Sequence, residues 1–468
     1  MEIVYPSFRK VHFIGIGGIG MSGIAEVLLN MGYEVSGSDV RESETTRRLR
    51  ELGARITIGH SPDNVWGVDV VVYSSAIRND NVELQAAKRI GTVPVIPRAE
   101  MLAELMRMKH SILVAGAHGK TTTTSMIGAV LHEAGMDPTV VIGGRLNAWG
   151  TNARMGNGNF FVAEADESDG TFLLLSPSIA VVTNIDREHM DYYRDLDHII
   201  DAFVQFVNRV PFYGLAVVCY DDKNIRTGIL PRLKRRYLSY GFHEGAELRA
   251  VGFRPSGYGS EFDVVFRGEK VCSVRAGVPG RHNVLNALAV IGVGWELGLD
   301  WSVICRGLAG FSGVQRRLQI KGETHGIVVM DDYGHHPTEI KAVLETLRLY
   351  YPERRIVVVF QPHRYSRTHA LEEEFMDAFD ECDLLITTEI YPAGEEAIPG
   401  VTGERLTRRI VESLGRRGVQ LDVEFCPSEE DVLFALQKVT KEGDLVITLG
   451  AGNVWQIGEK FLKILQGS

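Results

Sequence analysis

The segment LVAGAHGKTTTT carries the sharpest chemical pattern in the chain, with Gly116, Ala117, His118, Gly119, Lys120, Thr121 and Thr122 between an apolar run and a long helical stretch. A glycine-rich turn there exposes backbone N–H groups to phosphate. The lysine neutralises β- and γ-phosphate charge, and the next hydroxyl reaches a bound Mg2+. The loop is a shortened G-x-x-G-K-T, because Val114 stands where a full P-loop motif has glycine. These seven residues are expected to bind ATP. Further on, VAEADESDG crowds Glu164, Asp166, Glu167 and Asp169 after another apolar run. Mg2+ takes oxygen ligands, and Glu164, directly after the strand, is the expected one. A solvated acidic turn is the competing reading. NIDREHMDYY puts His189 at the next strand end, where it would help hold a second metal ion or serve as a surface histidine.

Four more clusters could do chemistry. HFIGIGGIG holds G-x-G-x-x-G at Gly15, Gly17 and Gly20, with Gly18 inside it, and Asp39 ends the following strand. Such a loop admits a diphosphate at a helix N-terminus, and the acidic residue takes a ribose hydroxyl. A tight turn without ligand is the alternative, and the motif does not separate NAD from another nucleotide diphosphate. Ser74 and Ser75 end the fourth strand on the same sheet edge. PGRHNVLNALA places Asn283 and Asn286 on one helical face, to read an adenine edge or to cap the helix. FSGVQRRL supplies Arg316 and Arg317 at a domain boundary. DDYGHHPTEI and QPHRYSRT bring Tyr333, His335, His363, Arg364 and Arg367, a set suited to clamping a carboxylate. A buried ion-pair cluster with Asp331 or Asp332 competes with that reading.

The elements that must hold these residues read as alternating strands and helices, the pattern of parallel sheets covered by helices. Strands are expected at 11–16, 34–39, 56–59, 68–75 and 93–96, then 111–115, 160–165, 179–184 and 215–220, and last 327–331, 356–360, 384–388, 423–426 and 445–449. Helices are expected at 98–108, from Lys120, at 196–209 and at 282–297. Polar/apolar alternation between about 248 and 278 reads as an antiparallel meander on a sheet edge. The fold class is α/β, with expected domains at 1–108, 109–318 and 319–468. The chain has 468 residues, 45% hydrophobic and 24% charged, with net charge −10. That excludes a disordered chain and argues against general affinity for nucleic acid or anionic membrane. The basic run 232–236 reads as a solvated helix end. Five scattered cysteines contain no CxxC and suggest neither a zinc knuckle nor a redox pair. No apolar leader or membrane span is seen, so a cytoplasmic protein is expected.

GIGGIGMSG, GAHGKTTTT, EADESDG, NIDREHMD, GRHNVLNA, GVQRRL, DDYGHHPTE and QPHRYSRT occur in that order, and with them the whole chain resembles the Mur ligase family. The resemblance implies an N-terminal Rossmann-like UDP-binding domain, a central P-loop ATPase domain and a C-terminal Rossmann-like amino-acid domain. It implies ATP-dependent joining of L-alanine to the lactyl carboxylate of UDP-N-acetylmuramate through an acyl phosphate. Mg2+, or Mn2+, would be the metal, and domain closure would bring the substrates together. By resemblance Gly15, Gly17, Gly18, Gly20, Asp39, Ser74 and Ser75 lie at the sugar nucleotide. Lys120 lies at the phosphates, and Thr121, Glu164 and His189 at metal ions. Asn283 and Asn286 lie at the nucleotide, and Arg317 and Asp332 at ATP. Tyr333, His335, His363, Arg364 and Arg367 line the amino-acid pocket. A related ligase that reattaches a recovered peptide to the muramate shares much of the first two domains; QPHRYSRT favours the alanine enzyme. An NAD oxidoreductase would leave the P-loop and acidic cluster unexplained. A non-catalytic nucleotide-regulated protein would leave the carboxylate clamp unexplained. Related Mur ligases carry a lysine, carbamylated by CO2, on the helix after the histidine segment. No lysine occurs here between Lys120 and Lys223.

Overall fold

The computed structural model describes residues 8–74, 76–107, 109–143, 153–190 and 192–467. The described strands form three sheets. The first is parallel and five-stranded, in the order Arg55–Ile58, Glu34–Asp39, Lys10–Ile14, Val70–Tyr73 and Val95–Pro97. The glycine loop leaves its central strand.

The second sheet has Ile179–Val182, His110–Ala115 and Phe160–Glu164 side by side and parallel, so the P-loop, acidic and histidine segments leave one edge. Outward on one side lie Leu215–Cys219, Tyr237–Gly241, Leu248–Ser256, Gly259–Phe266 and Glu269–Ala276. The last three are joined by two-residue turns, the connection of antiparallel neighbours. On the other side lie Thr139–Val141 and the antiparallel strand Ala153–Arg154.

The third sheet runs Gln319–Thr324, Ile327–Asp332, Leu445–Leu449, Ile356–Phe360, Leu384–Thr387 and Asp422–Phe425, parallel except for the first strand. Strands Ile179–Val182, Leu215–Cys219, Ile356–Phe360 and Leu445–Leu449 are buried at every position, as expected where helices cover both faces of a parallel sheet. The flanking helix Gly403–Arg417 shows the matching pattern. Thr402 caps its start, Gly418 ends it with φ 69°, and Leu406, Ile410 and Leu414 form its buried stripe.

By internal contacts the chain forms two compact units. One holds the residues up to Gly252 with Phe262–Ala276 and Val284–Ser312; the other holds Phe253–Glu261, Gly277–Asn283 and the residues from Gly313. Among the described residues no helix is long and apolar enough to cross a membrane.

The structure refines several expectations. The basic run is exposed and begins at a helix end, as expected: a short 3-10 helix, Leu230–Arg232, ends at its first arginine and leads toward a strand, with Arg232 on Asp201 and Arg236 on Glu296. Helix 98–108 ends earlier, at Met106. Strands Thr139–Val141, Ala153–Arg154, Tyr237–Gly241 and Gln319–Thr324 are not predicted from the sequence, since short or polar segments lack a strong period. Cys272 and Cys305, 33 positions apart, are brought within hydrogen-bonding reach of each other. Spacing along the chain could not reveal that pair.

Glu83 holds the ligand edge of the first sheet together. It is fully buried, and its carboxylate accepts from the Asn64 amide, the Ser61 N–H and the Ser38 hydroxyl, with His12 and His60 at 3.5 and 3.4 Å. Burial alone would raise its pKa, but these hydrogen bonds outweigh it and hold the group at about 2. Its folded pKa is therefore below its unfolded value of about 4.3. The stabilisation is complete above pH 4.3 and is lost as pH falls toward 2. We expect Glu83→Gln to lower stability by roughly 3 kcal/mol at pH 7 and to flatten the acid limb of the stability curve. Urea unfolding of both proteins between pH 2.5 and 7 checks this; parallel pH profiles would contradict it.

Candidate active site

Strand His110–Ala115 ends at Gly116, whose φ of 133° favours glycine. A Cβ there would sit 2.1 Å from the Thr183 hydroxyl. The neighbouring strand end grips the loop: Thr183 and the Asn184 amide donate to the His118 carbonyl, and His118 N–H donates to Asn184 Oδ1. His118 Nε2 lies 3.1 Å from Asp186. Gly119, at φ 84°, starts the helix Lys120–Glu133, and a Cβ on it would lie 2.7 Å from Asn286 Oδ1. The loop amides and Lys120 thus stand at a helix N-terminus, with Thr122 buried in the first turn.

Lys120 Nζ donates to the Gly116 carbonyl at 2.6 Å and to Glu167 at 2.8 Å. Burial disfavours its charge, but Glu167 and Asp166 outweigh that and hold its pKa above the ordinary value. Glu167, itself 3% exposed, is pushed up by burial, against the opposing pull of Lys120. His189, in a left-handed turn with φ 56°, faces Glu188 at 3.3 Å and Glu167 at 3.8 Å. Glu164 accepts the Gly143 N–H at 2.6 Å and the Thr121 hydroxyl; burial raises its pKa. A hydroxyl and a carboxylate joined in a buried niche beside a helix N-terminus are the hard oxygen donors that suit Mg2+.

In the first sheet, Gly15 and Ile16 N–H groups donate to the Ser38 carbonyl. Gly17 N–H donates to Asp39 Oδ2 at 2.8 Å, so Asp39 is turned onto the loop. Gly18 starts the helix Ile19–Asn30, of which Gly20 is the second residue, and no side chain caps it. The Ser74 hydroxyl accepts from Ala76 N–H at the strand end. Ser75 lies outside the described residues.

In the second unit, Arg316 is committed to structure: it pairs with Asp331 at 3.0 Å and donates to the Gly450 and Gly452 carbonyls. Asp331 is therefore the partner of Arg316, not of the expected clamp. Arg317 faces Glu339 at 3.4 Å and lies over the Tyr333 ring. Asp332 accepts the Leu318 and Gly334 N–H groups, and burial lifts its pKa to about 6 against the pull of Arg317. His335 lies beside Tyr333 and His363. His363 stacks on Tyr391 and contacts Arg367 at 3.1 Å. Burial, helped by His335 and Arg367, lowers the His363 pKa to about 3, so this imidazole is neutral at pH 7. Arg364 sits at φ 70°, a strained setting for a non-glycine residue. Its Nε is buried without a hydrogen-bond partner, 4.0 Å from Glu395.

The structure thus gathers Lys120, Thr121, Glu164 and His189 at one sheet edge, and Tyr333, His335, His363 and Arg367 at another. Asn286 stands at the P-loop, whereas the Asn283 side chain donates to the Pro279 carbonyl ahead of its own helix. Sequence reasoning missed Glu167 as the lysine partner, although the acidic run contained it. Asn184, Asp186, Tyr391 and Glu395 carried no local signal.

Fold and site together define a P-loop α/β protein with a second glycine-loop sheet. Residues 10–110 match the family model "Mur ligase family, catalytic domain", residues 114–294 "Mur ligase middle domain", and residues 316–452 "Mur ligase, glutamate ligase domain". The chain belongs to the Mur ligase family. It is 59% identical to the UDP-N-acetylmuramate–L-alanine ligase of Syntrophobacter fumaroxidans over 465 residues, 99% of this chain and 98% of the relative. It is 57% identical to the enzyme of that name from Pelobacter propionicus, over 99% of both chains. Among solved structures, the UDP-N-acetylmuramate-alanine ligase of Thermotoga maritima superposes with TM-score 0.81 at 31% identity, covering 98% of this chain and 99% of the other. A murein peptide ligase from Psychrobacter arcticus shares the fold, with TM-score 0.72 at 23% identity, over 98% and 99%.

Because the two glycine loops leave different sheets, Lys120→Ala is expected to abolish ATP turnover and leave most of the sugar-nucleotide affinity, since Lys120 itself does not touch the first loop. Calorimetry with UDP-N-acetylmuramate checks this; a comparable loss of sugar binding would merge the sites. The helix Leu196–Val207 offers Asp197 and Asp201, the latter paired with Arg232, and no amine to carbamylate. Activity should therefore be indifferent to bicarbonate. A rate that falls in CO2-free buffer and recovers with bicarbonate would contradict this.

Proposed function

We propose that the chain joins L-alanine to the lactyl carboxylate of UDP-N-acetylmuramate at the expense of ATP, supplying peptidoglycan precursor in the cytoplasm. The observation that carries this reading is the buried Lys120–Glu167 cluster beside the Thr121–Glu164 oxygens, at the edge of a sheet separate from the glycine loop. A phosphoryl-transfer site and a second nucleotide site on one chain fit a ligase and do not fit a hydride-transfer enzyme. The identity to UDP-N-acetylmuramate–L-alanine ligases along almost the whole chain supports the choice of substrates.

The chemistry follows from the charges. In the first step a lactyl carboxylate oxygen attacks the γ-phosphorus of ATP in line and ADP leaves, giving an acyl phosphate. Lys120 exchanges Glu167 for the β- and γ-phosphate oxygens and meets the growing charge there. Mg2+ or Mn2+, held by Thr121 and Glu164 with His189 nearby, supplies further charge neutralisation when bound. The Asn286 amide, at the loop, contacts the nucleotide. In the second step the alanine amine attacks the acyl carbon and phosphate leaves with the bridging oxygen. Arg367 and Arg364 hold the alanine carboxylate, while the neutral His363 imidazole, with Tyr333 and His335 beside it, shapes the pocket. The family resemblance assigns Arg317 and Asp332 to ATP. We propose domain limits near 1–108, 109–318 and 319–468.

Phosphate release tests the reading: it should require ATP, UDP-N-acetylmuramate and L-alanine together. Release without alanine at the full rate, or tight NAD binding, would overturn it. Arg367→Ala should raise the KM for alanine roughly 30- to 160-fold, the worth of a charged hydrogen bond of about 2–3 kcal/mol, with little change in the KM for ATP. Equal changes in both would remove Arg367 from the amino-acid pocket.

A further inference from the structure

Arg98 is the first residue of the helix Arg98–Met106, which follows the last strand of the glycine-loop sheet. Its guanidinium lies on Gly20, in the first turn of the glycine-loop helix: a Cβ on Gly20 would be 2.5 Å from Nη1 and 3.3 Å from Cζ. The third glycine of the motif therefore makes room for an arginine. Its other amino group donates to the acidic loop of the second sheet, with Nη2 3.1 Å from Asp166 Oδ2. Arg98 thus touches the glycine loop and the segment that supplies Glu164 and Glu167.

A cation here is electrostatically misplaced unless an anion joins it. Its own helix begins at Arg98, and the glycine-loop helix begins at Gly18; neither start has a side-chain cap, and both present the positive end of a helix dipole. Asp166 is a poor permanent partner. Its side chain is 41% exposed and that of Arg98 24% exposed, and half-exposed ion pairs are weak. A diphosphate at this helix N-terminus would offer the fork of Arg98 two oxygens and satisfy the loop amides as well.

We propose that Arg98 is a substrate-binding residue for the diphosphate of the sugar nucleotide, with Asp166 holding its place until that diphosphate arrives. This rests on the sugar-nucleotide reading above and adds a residue that none of the loop motifs contains. Its consequence is a link between the sites: diphosphate binding at the glycine loop frees the Asp166 carboxylate, which already acts on Lys120 through its charge.

The two partners must then act with opposite signs. Calorimetric titration of the full chain with UDP, without ATP or metal, should show Arg98→Ala weakening affinity tenfold or more and Arg98→Lys recovering part of it. Asp166→Asn should tighten UDP binding about threefold or more, because it removes the competitor. UDP-N-acetylmuramate, titrated in parallel, should follow the same order. A merely structural bridge would weaken binding in both variants, and unchanged affinity in Arg98→Ala would equally overturn the assignment; thermal unfolding of each variant identifies any loss of fold, and in that case Arg98→Lys and Asp166→Asn decide. Wild type that binds neither ligand overturns the sugar-nucleotide reading itself. Wild type that binds UDP, with Arg98→Ala matching it, overturns the role of Arg98 alone.

Discussion

A buried ammonium needs a counter-charge, and much of the central site is arranged around that need at Lys120. The loop carbonyl of Gly116 and the Glu167 carboxylate hold it where ATP phosphates would bind. Breaking such a pair by removing one partner is strongly destabilising, whereas exchanging one anion for another keeps the charge satisfied. The resting ion pair therefore keeps the lysine in place and charged. The next strand end completes the arrangement, since Thr183 and Asn184 fix the His118 carbonyl and amide and so the curve of the loop. A side chain at Gly116 would meet that same strand end.

The same logic appears at the other two sheets in different form. On the first, Ser38 binds loop amides through its carbonyl and Glu83 through its hydroxyl, so the buried carboxylate network and the glycine loop share one residue. On the third, Arg316 is spent on Asp331 and two carbonyls, which leaves Arg364 and Arg367 for the proposed carboxylate clamp. At the third sheet the proposed mechanism gives work to these two arginines, which Asp331 does not hold.

The sequence made the three sheets legible because their central strands are continuous apolar runs, and it made the P-loop legible because its glycines and lysine are consecutive. Less was visible where the deciding partner lies far along the chain. Glu167 and Asp169 look alike in EADESDG, and only the fold sets Glu167 on Lys120. Tyr391 stacks on His363 from a different strand end, and Cys272 meets Cys305 across a strand and a helix. Asp39 reads as a ribose ligand, and nothing local in the sequence shows that one of its oxygens accepts the Gly17 amide. Short-range pattern reports which elements form; it does not report which of several equivalent side chains face each other across them.

The central claim is that the Lys120 cluster directs the γ-phosphoryl group of ATP to a carboxylate and not to water. Turnover with UDP-N-acetylmuramate carrying 18O in both oxygens of its lactyl carboxylate tests it directly. The account expects each phosphate released in the presence of L-alanine to carry one 18O atom, with the second retained in the new amide. Unlabelled phosphate, with both labels left on the sugar nucleotide, would mean that water attacks the γ-phosphorus and would contradict the account.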